Sequence, residues 1–200
     1  MSNTPKTLTQ PECELLLDQL KRAEQTAHKQ FCRSRNVLMY LTMLDAGLRV
    51  GELVQMQVSY YIFASKPVLA LNVPTAIAKG GSERTIPVTD RLQVATARML
   101  LWWKSSGPAN LPKPAFTSRL NGRPITARQV QRILFNASKK AIGRRIHPHE
   151  LRHTFATRLM RTTNSRIVQQ LLGHKQLTST QIYQHPNGDD LLEAIKSLNT

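Results

Sequence analysis

The stretch His147–His153, "HPHELRH", sets three imidazoles, a carboxylate and a guanidinium within seven residues. Pro148 suits the first turn of a helix, where its missing N–H would be unpaired in any case. On such a helix His149, Glu150 and His153 spell H-E-x-x-H, which places two imidazoles to hold zinc beside a glutamate base. The same helix sets His149 and Arg152 one turn apart on one face, near the positive end of the helix dipole. That pair suits a phosphate. The two chemistries compete, because a guanidinium one turn from a zinc ligand opposes the metal's charge.

Three other segments carry polar side chains that helical packing does not need. In "GLRVGEL", Arg49 follows a helix-ending glycine and precedes a new apolar run, which puts it at a junction between helices. It can pair with Glu52 three residues on, or present a planar fork to a phosphate. In "AKGGSER", Lys79 falls where a strand meets a tight turn, either as an ordinary solvated lysine or as an ammonium reaching for a ligand. In "LLGHKQLTSTQIYQH", His174 follows a glycine break and Tyr183 lies nine residues beyond it, either packed in the core or exposed as a nucleophile. Together, two arginines, two histidines, a lysine and a tyrosine could carry out phosphoryl transfer without metal. Fixed cations would stabilise the charge that develops on a phosphodiester under attack. A tyrosine hydroxyl would attack, and a lysine or histidine would protonate the leaving oxygen. The zinc alternative uses His149, His153 and His174 with Glu150, and leaves Arg49, Lys79 and Tyr183 without a task.

The composition bears on this choice. The 200 residues suffice for one full core or at most two small domains. Twenty-eight Lys and Arg against twelve Asp and Glu give a net charge of +16, an excess that attracts polyanions and favours nucleic acid as the partner. Its spread along the chain argues against a single basic membrane-binding helix. No apolar run approaches the roughly 20 residues that span a bilayer, and "MSNTPKTLTQPEC" lacks the order of a secretory signal. Two cysteines, Cys13 and Cys32, make a disulfide scaffold or a Cys-rich zinc site a poor expectation and fit a cytoplasmic protein.

The elements that must position these residues are mostly helical. "LTQPECELLLDQLKRA" predicts a helix capped by Thr9, with Pro11 in its first turn and Leu15, Leu16, Leu20 and Ala23 as its apolar stripe. "RSRNVLMYLTMLDAG" predicts a more buried helix ending near Gly47, and "RVGELVQM" a short one after it. From Val58 to Val88 the runs "VSYYIF", "VLALNV", "TAIA" and "RTIPV" predict a small antiparallel sheet, with "KGGSE" as a Gly-rich turn between the last two. Further helices are expected at 91–105, 126–142, 148–161, 165–172 and 177–183, with a last amphipathic one in "NGDDLLEAIKSLN". The fold class read here is mainly α, an α+β single domain with one small antiparallel β-sheet.

The joint order and spacing of "GLRVGEL", "KGGSERTIPV", "HPHELRHTFATRLM" and "VQQLLGHKQLTSTQIYQH" resembles the tyrosine recombinase (phage integrase) family, with the texture of the Xer-type members. The resemblance runs from about Thr7 to the C-terminus. It implies a catalytic domain over 7–200 after a short tail at 1–6, without the N-terminal core-binding domain that family members usually carry. It also implies that Arg49 and Arg152 bind the scissile phosphate with His149 and His174, that Lys79 is the general acid, and that Tyr183 is the nucleophile. Glu52 and His153 match supporting positions. The spacer between Arg49 and Lys79 departs from the family by holding the long "SYYIFASKPVLALNVPTA". The implied reaction is site-specific strand exchange on double-stranded DNA through a 3′-phosphotyrosine, with no metal, ATP or other cofactor. Implied partners are other copies of the chain in a DNA-bound tetramer, with an accessory protein or second recombinase as a further candidate; residues 189–200 either pack on their own domain or dock into a neighbouring protomer. The implied setting is the nucleoid of a prokaryotic cytoplasm. A type IB topoisomerase-like enzyme and a catalytically inactive DNA-binding relative remain the alternatives within this chemistry.

Overall fold

The computed structural model describes residues 6–22, 26–105, 114–119 and 122–173. Seven α-helices are seen among them: α1 (Gln10–Lys21), α2 (Ala27–Asp45), α3 (Val50–Leu53), α4 (Asp90–Lys104), α5 (Ala127–Ile142), α6 (Pro148–Thr162) and α7 (Ser165–Leu172). Four short strands, β1 (Ile62–Phe63), β2 (Lys66–Pro67), β3 (Ala70–Val73) and β4 (Arg84–Pro87), lie between α3 and α4. The mainly helical α+β reading therefore holds.

α2 is the hub. Every residue from Val37 to Leu44 is buried, so the helix is covered on all sides rather than along one stripe. α1, α4 and α6 pack around it, and α5 lies against α1. Tyr61 closes the far side of this core, edge-on to Phe116 at 5.7 Å, with its hydroxyl 3.1 Å from Thr42. A small satellite core of Phe155, Ala156, Val168 and Leu172 joins α6 to α7.

The helix starts follow local chemistry. The Thr9 side chain accepts from the Glu12 N–H while Glu12 returns to the Thr9 N–H at 2.8 Å, a reciprocal cap worth about 1 kcal/mol. Thr126 and Gln129 repeat the arrangement at α5. The buried stripe of α1 is Cys13, Leu16, Leu17 and Leu20, whereas the predicted Leu15 is exposed. Leu15, Leu16 and Leu17 follow one another and so point to different faces, and periodicity alone did not pick the right one. α2 begins at Ala27, six residues before the predicted start, and the helix after Gly47 is a single turn.

The strand region differs more. Val58–Tyr60 is one 3-10 turn rather than a strand. In place of one sheet there are two separate two-stranded antiparallel ladders, β1 with β2 and β3 with β4. "TAIA" is not a strand. Pro74 starts a turn whose carbonyl accepts from the N–H groups of Ile77 and Ala78. The β3–β4 ladder closes on the pair Val73↔Arg84, and residues 74–83 make an excursion from it. The helices expected at 177–183 and in "NGDDLLEAIKSLN" lie outside the described residues, as do Ala23, His174 and Tyr183. Among the described residues no helix is long and apolar enough to cross a membrane.

Candidate active site

The site forms where the end of α2, the start of α6, the end of α7 and the β3–β4 excursion meet. Gly47 leaves α2 with φ +63°, a conformation glycine adopts without strain. A Cβ there would stand 2.3 Å from Phe155 Cδ1, so α6 packs directly on the Gly47 backbone. That close approach brings the Arg152 guanidinium to the buried end of α2. Its Nη1 donates to the Gly47 carbonyl and its Nη2 donates to the Leu172 carbonyl at 2.7 Å. The Leu172 carbonyl is one that a helix end leaves without an intrahelical partner, and the Gly47 carbonyl lies two residues past the end of α2. Arg152 is 3% exposed and ties three segments together.

Two residues after Gly47, Arg49 occupies the N-cap of α3. Glu52 receives the Arg49 N–H at 2.9 Å and its Nη1 at 3.1 Å. The predicted Arg49–Glu52 pair is present, and Glu52 does more. Buried to 1% exposure, it also accepts both terminal nitrogens of Arg84, at 3.2 and 2.6 Å, and the backbone N–H of Lys79 at 3.3 Å. Burial alone would raise the Glu52 pKa. The hydrogen bond and charge of Arg84, the Arg49 N–H and the charge of Arg152 outweigh that and hold it at about 2. One buried carboxylate thus organises both arginines and the Lys79 backbone.

Lys79 sits in the turn of the excursion with its side chain exposed, held by Glu52 and not by the end of a strand. His149 stands exposed one turn before Arg152. Its pKa is lowered by burial first and then by the charges of Arg152, Arg49, Lys79 and His147. Those neighbours show four of the predicted residues, Arg49, Lys79, His149 and Arg152, converging on one electropositive spot. His153, half-buried, is lowered by burial and then by His149 and Arg152, against an opposing effect of Glu150.

The H-E-x-x-H reading loses its base here. Glu150 Oε1 accepts from the His147 N–H at 2.9 Å and Oε2 from Arg144 Nη1 at 2.8 Å, so the carboxylate is spent on the cap of α6 and on an ion pair. The rings of His149 and His153 are tilted by 37° with centroids 6.5 Å apart. Among the described residues no three His, Cys, Asp or Glu side chains are grouped to hold a metal.

Sequence reasoning missed Arg84. The signal was available: in "RTIPV" strand alternation puts Arg84 on the same face as Ile86, and both are buried. An arginine on the inward face of a strand needs a buried acid. A second feature adjoins the site, a groove of about 640 Å³ along α5, lined by Arg128, Arg132, Phe135, Arg145 and His147. Arg145 stacks on Phe135 at 4.4 Å.

The family model for the phage integrase family matches residues 6–189. Tyrosine recombinase XerA of Pyrococcus furiosus is 32% identical over 196 residues, covering 98% of this chain and 62% of that relative's length. The chain resembles the crystal structure of XerA recombinase with a TM-score of 0.78 at 25% identity, covering all of this chain and 67% of that one. It also shares the fold of XerH site-specific recombinase bound to difH substrate, in a pre-cleavage complex, with a TM-score of 0.73 at 23% identity over 96% of this chain and 54% of the other. The converging cations, the mainly helical fold and these likenesses agree, and the chain belongs to the phage integrase family, the tyrosine recombinases.

Proposed function

We propose that this chain catalyses site-specific DNA recombination by cleaving and rejoining strands through a covalent 3′-phosphotyrosine at Tyr183. The observation that carries the reading is that Arg49 and the Lys79 backbone are held on Glu52 beside the charge of Arg152, that His149 feels the charges of Arg152, Arg49 and Lys79, and that the single negative charge of Glu52 is already neutralised by Arg84. The spot keeps an excess of positive charge, arranged in advance where a phosphodiester would gain negative charge on attack. The two guanidiniums would grip the non-bridging oxygens. His149, its pKa lowered by burial and by the surrounding charges, would donate a ring N–H to the same phosphate.

In this mechanism the Tyr183 hydroxyl oxygen attacks phosphorus and passes its proton to water. The P–O5′ bond breaks, and its electron pair and a proton from the Lys79 ammonium end on the 5′-oxygen. His174 completes the phosphate pocket, while Glu52 and His153 hold the arginines and His149 in place. The free 5′-hydroxyl of a partner strand then reverses the step. The bond energy stays in the phosphotyrosine, so neither ATP nor metal is required. The circular intermediate DNA bound in the Tn1549 transposon integrase structure and the net charge of +16 support double-stranded DNA as substrate. The arginine-lined groove along α5 would follow the flanking backbone. The named relatives are recombinases, which favours exchange between strands over resealing of the same strand. Assembly into a tetramer on DNA, with residues 189–200 docked on a neighbour, belongs to the same proposal.

The test is a covalent-adduct assay in excess EDTA, with nicked suicide duplexes tiled across the DNA flanking the gene. The expected result is a denaturation-resistant adduct that disappears in Tyr183→Phe. An adduct that persists in that variant, or that EDTA abolishes, refutes the mechanism.

A further inference from the structure

Arg84 has no role in the chemistry just described, yet it is one of the buried cations among the described residues. Its side chain is 2% exposed and meets Glu52 fork to fork. Its Nε is buried without a hydrogen-bond partner, so among the described residues Glu52 alone holds the guanidinium by hydrogen bonds. The side chain also lies against Gly173. A Cβ there would stand 3.1 Å from Arg84 Cδ and 3.3 Å from Nη1, so any larger residue would press on the guanidinium. Arg84 is also half of the pair Val73↔Arg84 that closes the excursion carrying Lys79. Lys79 is therefore held twice by the same unit, through the chain at Arg84 and through its own N–H on Glu52.

We propose that Arg84 is a positioning residue, which by fixing Glu52 and the base of the 74–83 excursion places the Lys79 ammonium where it can protonate the leaving oxygen. This rests on the reading of Lys79 as the general acid. Lysine at position 84 would keep the positive charge but replace a planar two-point grip by one point. A buried ion pair would survive while the geometry it enforces would not.

The experiment compares single-turnover adduct formation on two versions of the suicide duplex that the wild-type protein cleaves. One has the natural 5′-oxygen at the scissile phosphate and the other has sulfur in that bridging position. A thiol ionises near pH 8.5, so the thiolate leaves without a proton and the general acid becomes dispensable. Lys79→Ala should lose about 10²–10⁴-fold on oxygen and recover on sulfur. Arg84→Lys should raise the sulfur-to-oxygen rate ratio at least about tenfold above wild type, toward that of Lys79→Ala. A lower active fraction or a weaker phosphate grip slows both substrates together and leaves the ratio unchanged, and Arg84→Met offers a second variant for the same ratio. An unchanged ratio in both Arg84 variants, with Lys79→Ala rescued, overturns the inference and leaves the Lys79 reading standing. Failure of sulfur to rescue Lys79→Ala overturns the Lys79 reading and this inference with it.

Discussion

Replacing Glu52 by Gln tests the centre of the site. The carboxylate accepts five N–H donors, two from Arg49, two from Arg84 and one from Lys79, and it lies at 1% exposure. An amide of the same shape offers one acceptor oxygen and turns an NH₂ group toward the Arg84 guanidinium, donor against donor. The depression of its pKa from 4.5 to about 2 corresponds to about 3 kcal/mol of native-state stabilisation at neutral pH. Leaving the Arg84 charge buried and unpaired puts the expected cost of Glu52→Gln at about 3–5 kcal/mol. Thermal midpoints should fall by roughly 2–4 °C for each kcal/mol of that cost. The pH dependence has a definite sign. A carboxyl whose folded pKa is depressed stabilises fully above its unfolded value of 4.5, and that contribution is lost as pH falls toward about 2. The gap between wild type and variant should therefore be flat from pH 7 to 5 and narrow by about 1–2 kcal/mol at pH 3.5. Urea melts at pH 7, 5 and 3.5 measure it. A gap under about 1 kcal/mol at pH 7, or one that does not narrow on acidification, would refute the reasoning.

Three further outcomes are expected. Gly47→Ala forces a side chain into φ +63° and a Cβ to within 2.3 Å of the Phe155 ring, and urea melts should show a loss of about 2–4 kcal/mol; a loss below about 1 would mean that α6 is not seated on the end of α2. Arg128→Ala and Arg145→Ala, on the groove along α5, should each flatten the log–log dependence of DNA affinity on salt by about 0.9 for every phosphate they cease to neutralise, and an unchanged slope would remove that groove from the DNA path. His149 should titrate below 6.5 by NMR in the free protein and move up in Arg49→Ala, because the charges that depress it include Arg49. Since its folded pKa lies below the unfolded one, the stability it contributes is present above pH 6.5 and lost as pH falls; an ordinary titration at 6.5 would contradict the crowding of cations around it.

What the sequence determined by itself was everything that depends on near neighbours along the chain. Thr9 with Glu12, Thr126 with Gln129 and His147 with Glu150 each close a helix start within three residues, and α7 was expected at 165–172, where it is found. The Arg49–Glu52 pair is of the same kind, because both partners sit on one turn. The four spaced motifs likewise carried the family before any tertiary packing was known.

Tertiary structure decided what depends on residues far apart in the chain. The face of α1 that is buried was settled by α2 and α5, which cover Cys13 and Leu17 and leave Leu15 in solvent. Strand pairing followed long-range register: Val73 opposite Arg84 turned "TAIA" into part of an excursion, where local β-propensity had suggested a strand. The site depended on such pairings most of all. Glu52 meets Arg84 across 32 positions, and Arg152 reaches the Gly47 carbonyl across 105. A buried charge is tolerated only where a partner of opposite sign, or carbonyls otherwise left unpaired, can be brought to it, and the packing of α6 and β4 onto the end of α2 and α3 supplies them here. The residue types pointed to phosphate chemistry, and the packed core joined Arg49, Arg84 and the Lys79 backbone on one buried carboxylate.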